Sequence, residues 1–264
     1  MGDPAGTFYD DLAESYHLMF QDWTQSVRRQ AAVLGPLIER EIPTGALRIL
    51  DCACGIGTQS LGLAQRGHAL VGVDLSELAI GRARREAQQR NLSIQFKMAD
   101  MRDLSSVSET DFDLAIAIDN ALPHLLNEQD LARAVQQIAG KLRPGGLFLA
   151  SIRDYDQILE QHPAMPPPAF FEDGVHRRIC HQVWDWTGDR QYTVHLYITQ
   201  ETDAGWTCRH FLSVYRALRR DELTAILHQA GFVELSWLMP SDSGFYQPVV
   251  LAHCSKAAHT VSLD

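Results

Sequence analysis

Long apolar runs are missing from this 264-residue chain, so nothing in it reads as a membrane-spanning helix. The start, Met1–Asp11, has neither the basic flank nor the apolar centre of a secretory signal, and cytoplasmic residence is the expectation. Cysteine is scarce, with five residues at 52, 54, 180, 208 and 254. An odd and scattered set argues against a disulfide framework. Cys52 and Cys54 have no second pair to complete a zinc site, so no metal is expected and both read as small buried residues of a tight turn. Positive charge is short as well. A net charge of −10 argues against a general nucleic-acid binder, leaving only a local basic patch open. No internal repeat or low-complexity segment is present.

Against these absences stands one informative stretch, Leu47–Thr58, reading LRILDCACGIGT. Leu47, Ile49 and Leu50 suit a buried strand, Asp51 ends it, Gly55-Ile56-Gly57 make a turn, and a helix begins near Ser60. Ala69–Val73 is a second apolar strand. It ends in Asp74, about 20 residues past the turn, where a carboxylate can accept the two hydroxyls of a ribose. A dinucleotide fingerprint needs a third glycine, and Ser60 stands there instead. No Gly-Lys-Ser/Thr follows the turn, which excludes a Walker A loop.

From residue 47 onward, strand and helix patterns alternate. Strands are expected at 47–51, 69–73, 93–97, 112–118 and 147–152, and helices at 59–66, 77–90 and 128–141. Ser76 is the expected N-cap of the second helix. Such alternation implies a doubly wound, mostly parallel sheet, with ligands at the carboxyl ends of the strands. Before it, 12–34 reads as one or two amphipathic helices, 1–11 as mobile or lid-like, and 42–45 as a turn. After it, four prolines in 153–178 suggest a connection rather than a helix. Three strand-like stretches, 179–186, 191–200 and 205–216, read as an inserted antiparallel sheet. A helix at 220–230 and strands at 232–239 and 247–254 close a seven-stranded sheet, and 255–264 reads as a frayed tail. The expected division is therefore a helical cap at 1–46, a Rossmann-like core at 47–152, the inserted sheet at 153–218 and the rest of the core at 219–264.

The pattern D-x-x-C-G-x-G-T at 51–58 resembles the first motif of class I S-adenosylmethionine-dependent methyltransferases. That resemblance implies a cofactor with four handles. Asp74 would take the ribose. Leu75 and Met101 would line the adenine slot, with Asp100 accepting from the adenine amino group. Ala53, Gly55 and Gly57 would lie against the methionine chain. Arg29 would meet its carboxylate, with Arg28 competing for the role.

Further residues resemble the glycine and sarcosine N-methyltransferases, the betaine-synthesis type above all. They are Tyr16–Trp23, the Ala53-Cys54-Gly55 turn, Asn120 with His124 four residues on, Ile152–Tyr155, and Gly244–Pro248. This resemblance runs over roughly 8–254. It implies that Arg153 clamps the acceptor's carboxylate, that Asn120 and Tyr215 aim its amine, and that His124 lies on the cofactor side. Tyr9 and Tyr16 would be lid aromatics facing the sulfonium. The family has a tryptophan beside the adenine where this chain has Met101.

The function implied is methyl transfer to glycine, sarcosine or dimethylglycine, in a monomer or homo-oligomer that binds neither nucleic acid nor membrane. Each residue also has a plainer reading. Asn120 would satisfy loop backbone, Arg153 would pair with Asp154 or Asp156 at the surface, and His124 would be a packed histidine. The rivals in function are a natural-product or amino-sugar methyltransferase, with His124 as base for a hydroxyl acceptor, and a binding module without turnover. The base-flipping type of motif is absent after the fourth strand, where the chain reads Asp119–Pro123.

Overall fold

The computed structural model describes residues 4–43 and 45–255. Thr44 of the expected 42–45 turn, and 256–264 of the expected tail, lie outside the described residues. Three helical pieces open the chain: α1 (Pro4–Leu12), a single 3-10 turn (Tyr16–Met19) and α2 (Trp23–Glu41). Residues 4–11, expected to be mobile or lid-like, form most of α1, held because Phe8 and Leu12 are buried in the main core.

The alternating core follows as β1 (Arg48–Asp51), α3 (Thr58–Gln65), β2 (Ala69–Asp74), α4 (Glu77–Gln89), β3 (Gln95–Met98), β4 (Phe112–Ala117), α5 (Glu128–Lys141) and β5 (Leu142–Ser151). Next come α6 (Tyr155–Gln161), β6 (Ala169–Glu172), β7 (Arg177–Trp186), β8 (Gln191–Thr202) and β9 (Gly205–Arg216). The chain ends through α7 (Arg220–Gln229), β10 (Phe232–Leu238), the short α8 (Pro240–Ser243) and β11 (Val249–Cys254).

The seven-stranded sheet has the order β10-β11-β5-β4-β1-β2-β3. The pairs between β1, β2, β3, β4 and β5 are parallel, and only β11 runs against its two neighbours. The strand order reverses between β1 and β4, which is where a parallel sheet opens a crevice for ligands. Local chemistry sets the helix starts. Ser76 caps α4 by accepting from the Ala79 N–H, and Asn127 caps α5 by accepting from the Asp130 N–H. α2 lies so close over α3 that a Cβ on Gly62 would come within 2.7 Å of the Val27 carbonyl oxygen.

Two expectations are corrected. Residues 155–161 form a helix inside the segment read as pure connection, because its prolines at 163 and 166–168 all fall after the helix has ended. The same segment supplies β6, which pairs antiparallel with β7, so the inserted sheet has four strands in the order β6-β7-β8-β9. Strand β5 starts at Leu142 rather than 147. Leu142 already pairs with Phe112, and Arg143–Gly146 are absorbed as a bulge before Leu147 pairs with Leu114.

Candidate active site

The glycine turn is built around a buried carboxylate. Asp51, 1% exposed at the end of β1, accepts a 2.6 Å hydrogen bond from the Ser60 hydroxyl. Ser60 therefore stands in the third glycine's place because its hydroxyl satisfies Asp51. Burial pushes the Asp51 carboxyl up to about 7, against the opposing pull of Ser60. Gly55 and Gly57 both have positive φ, 51° and 94°, which glycine adopts at no steric cost. No protein atom lies within 4 Å of where a Gly55 side chain would begin, so that face of the turn is open.

Asp74 completes the cradle. One oxygen accepts from the Gly55 N–H at 2.8 Å and the other from the Ser76 N–H at 2.9 Å. Each oxygen keeps a lone pair for a ribose hydroxyl. Burial raises its pKa while the two N–H donors oppose the rise. Ala53, Gly55, Asp74, Leu75, Asp100, Met101, Tyr16 and His124 all line one groove enclosing about 800 Å³ of open space. Asp100, expected to receive the adenine amino group, is held in a 2.6 Å ion pair by Arg102, which also reaches Asp130 at 3.4 Å.

A second cavity adjoins the groove and contains the other expected residues: Arg29, Asn120, Arg153 and Tyr215. Arg29 thus stands in the adjoining cavity rather than in the groove itself, and its neighbour Arg28 lines neither. Asp119 and Asn120 follow β4 with φ of 60° and 67°, a left-handed pair that these two residue types tolerate. The Asn120 side-chain oxygen accepts from the Arg153 N–H at 3.0 Å, while its buried amide nitrogen has no hydrogen-bond partner.

Arg153 is the most telling charge. Its guanidinium donates to the Tyr192 hydroxyl at 2.8 Å and packs between the rings of Trp184, at 4.9 Å, and Tyr215, at 5.1 Å. Burial works against its charge, and the tyrosines around it outweigh burial and hold its pKa above the usual value. Asp154 and Asp156, the surface partners of the plainer reading, are instead taken by Arg219 and Arg220. Among the described residues no carboxylate pairs with Arg153.

The two spaces meet at Tyr9, Tyr16 and Asp119, which border both. Tyr9, on α1, shares a 3.0 Å hydrogen bond with His124 Nε2, and the His124 ring lies 4.2 Å from that of Tyr215. Burial raises the pKa of both Tyr9 and Tyr16, so both hydroxyls stay protonated. Sequence reasoning did not single out Asp119, Gln182, Tyr192 or Tyr246 as site residues. Tyr192 and Gln182 sit on strands of the inserted sheet, and only the register of β7 against β8 brings both to Arg153.

Residues 49–146 match a methyltransferase domain family. The glycine/sarcosine N-methyltransferase of Parasynechococcus marenigrum is 33% identical over 153 residues, which is 58% of this chain and 53% of that protein. The glycine/sarcosine N-methyltransferase of Halorhodospira halochloris is 28% identical over 192 residues, 72% of this chain and 67% of that one. The chain thus spans between half and two thirds of the length of these relatives. Among solved structures, CalS10, an amino pentose methyltransferase from Micromonospora echinaspora, superposes with a TM-score of 0.70 at 20% identity, covering 87% of this chain and 92% of that one.

The sheet order, the groove and the methyltransferase domain matched over residues 49–146 make the chain similar to the class I S-adenosylmethionine-dependent methyltransferases. CalS10 was solved with S-adenosylmethionine bound. Within that class the chain resembles the glycine/sarcosine N-methyltransferases. No helix among the described residues is long and apolar enough to cross a membrane.

Proposed function

We propose that this chain transfers a methyl group to the amine of a small amino acid: glycine, sarcosine or dimethylglycine. The observation that carries the reading is Arg153, a half-buried guanidinium that lines the second cavity and has no carboxylate partner among the described residues. A permanent cation partly withdrawn from water gains from an anion that joins it. An acceptor carboxylate supplies that anion by a two-pronged hydrogen bond to the guanidinium fork. The relatives' names point to glycine and sarcosine.

When bound, S-adenosylmethionine supplies an electrophilic methyl group on a sulfonium. The chain's work is then orientation and exclusion of water. Arg153 fixes the carboxylate end of the acceptor. The unpartnered Asn120 amide donates a further hydrogen bond to it. The rings of Tyr9 and Tyr16 close the junction where the amine must meet the methyl group. The acceptor's ammonium would lose its proton to solvent first, and the neutral amine would then take the methyl group from a bound S-adenosylmethionine, which would leave as S-adenosylhomocysteine. Alignment of this kind contributes about 7–11 kcal/mol to such reactions. His124 serves as a neighbour of Tyr9 in this reading, not as a base.

The test is methyl transfer to glycine, sarcosine and dimethylglycine in parallel, read by product mass, with Arg153→Lys alongside. Lysine keeps the charge and loses the fork, so KM for the acceptor should rise on the order of 100-fold while cofactor binding stays within about twofold. Equal loss of both would refute the clamp. A second reading has its own observation. The second cavity has a volume of about 380 Å³, more than a glycine fills. An amino-sugar or natural-product acceptor fits that volume. Turnover on such acceptors with none on the glycines would establish it, and loss of hydroxyl methylation in His124→Ala would mark His124 as its base.

A further inference from the structure

Asp119 is the negative counterpart of Arg153, and nothing above gives it a role. It borders both the groove and the second cavity. One carboxylate oxygen accepts from the Gln59 amide at 2.7 Å, and the other accepts from the Tyr246 hydroxyl. Gln59 is itself fixed by Gln30 on α2, at 2.7 Å. Every contact is to a neutral donor. Among the described residues no arginine, lysine or histidine pairs with Asp119, which is half-buried at the junction of the two spaces. Burial accordingly holds its carboxyl above the usual range, against the pull of Tyr246, Gln59 and Gln30. Its backbone is left-handed, which turns the side chain back between α2, α3 and the turn rather than out along β4.

We propose that Asp119 receives the α-ammonium of the cofactor's methionine end, with Arg29 across the same cavity taking its carboxylate. An ammonium is the chemistry that fits a half-buried carboxylate with no cationic partner, and two ammonium groups come to this junction: the cofactor's and the acceptor's. Chemistry separates them. The acceptor nitrogen must lose a proton to attack, and a carboxylate bound to its ammonium stabilises the unreactive form. The cofactor's ammonium takes no part in the reaction and can stay charged throughout. Position agrees, because Asp119 and its partner Gln59 line the groove together with Ala53 and Gly55, whereas Arg153, Asn120 and Gln182 line only the second cavity. This assignment rests on the cofactor and not on which acceptor is methylated.

The experiment compares the affinities of S-adenosylhomocysteine and 5′-methylthioadenosine for the parent chain and Asp119→Asn. The two ligands share adenosine and sulfur, and only the first has the amino-acid end. Asparagine suits the same left-handed backbone and the same volume but carries no charge. The parent's preference for S-adenosylhomocysteine should fall about tenfold or more in Asp119→Asn, with 5′-methylthioadenosine binding unchanged as the control for fold. If the variant fails to bind 5′-methylthioadenosine, Asp119→Gly replaces it, since glycine accepts the same φ. A preference within twofold of the parent's overturns the proposal. So does an unchanged preference with a raised KM for the acceptor, which would assign Asp119 to the acceptor's amine. A parent that turns over no glycine acceptor leaves this comparison intact and counts only against the acceptor reading.

Discussion

At the scale of single residues the site is a set of buried charges, and Asp51 shows what one of them does to the fold. Its carboxyl sits at about 7, against 3.8 ordinarily, with burial the main cause. In the unfolded chain it ionises near its ordinary value. Between roughly pH 4 and 7 the folded chain therefore holds a proton that the unfolded chain has released. Stability linked to this group is full below about pH 4, is lost as pH rises to about 7, and is flat beyond. The whole effect is about 4 kcal/mol. In Asp51→Asn that loss should disappear, so denaturant unfolding without ligand should show the variant gaining on the parent as pH rises over this window. A difference that does not change with pH contradicts the burial account. Much at this scale was readable in advance. Asp74, Gly55 and Met101 announce themselves because each stands at a strand end or turn fixed by local pattern. Asp119 and Tyr192 do not, since their importance lies in partners 60 and 39 residues away, Gln59 and Arg153.

At the scale of elements, helix α1 is the part whose role the sequence left most open. Asp10 ties it to the core. It accepts from the Ser76 hydroxyl at 2.6 Å and from the Leu78 N–H at 3.2 Å, so α1 helps cap the start of α4. Phe8 and Leu12 bury its other side, and Tyr9 reaches over the junction to His124. A short helix with a few such anchors belongs to the low-stability end of a fold, where ligand lids are found. Replacing Asp10 with Ala removes two hydrogen bonds and should weaken docking of α1 by about 1–2 kcal/mol. Limited proteolysis between α1 and α2 should then quicken several-fold, and S-adenosylhomocysteine should dissociate faster by a similar factor. Faster cleavage with an unchanged off-rate would show that α1 is a structural strap and not a lid. The capping of α4 by Ser76 was plain from sequence, because an N-cap is a local rule. Asp10's contribution was not, because it comes from an element 66 residues earlier. The same limit explains the bulge in β5, which pairing with β4 creates, whereas β6 forms a hairpin with the adjacent β7 that the prolines just before it obscured.

At the scale of the whole molecule, the inserted sheet is separate in hydrogen bonding and continuous in packing. β6-β7-β8-β9 shares no strand pairing with the seven-stranded sheet. Yet Trp184, Tyr192, Val194, Leu196, Ile198 and Phe211 from its inner face belong to the same buried cluster as Leu50, Val71, Phe148 and Val250 of the large sheet. Arg153 follows β5 and is closed over by Tyr192, Trp184 and Tyr215 of the insert, so the second cavity exists only while both sheets are docked. Removing one sheet would expose large aromatic side chains, each of which stabilises the assembly by about 1.5–3 kcal/mol when buried. A shared core of this kind makes partial unfolding costly, and the two sheets should melt together. Scanning calorimetry should give one transition whose calorimetric and van't Hoff enthalpies agree. S-adenosylhomocysteine at about 100 times its Kd should raise the stability of that single transition by about 2.7 kcal/mol. Two resolved transitions, with only the upper one moved by ligand, would mean that the inserted sheet folds on its own and that the cavity around Arg153 forms by docking of two bodies.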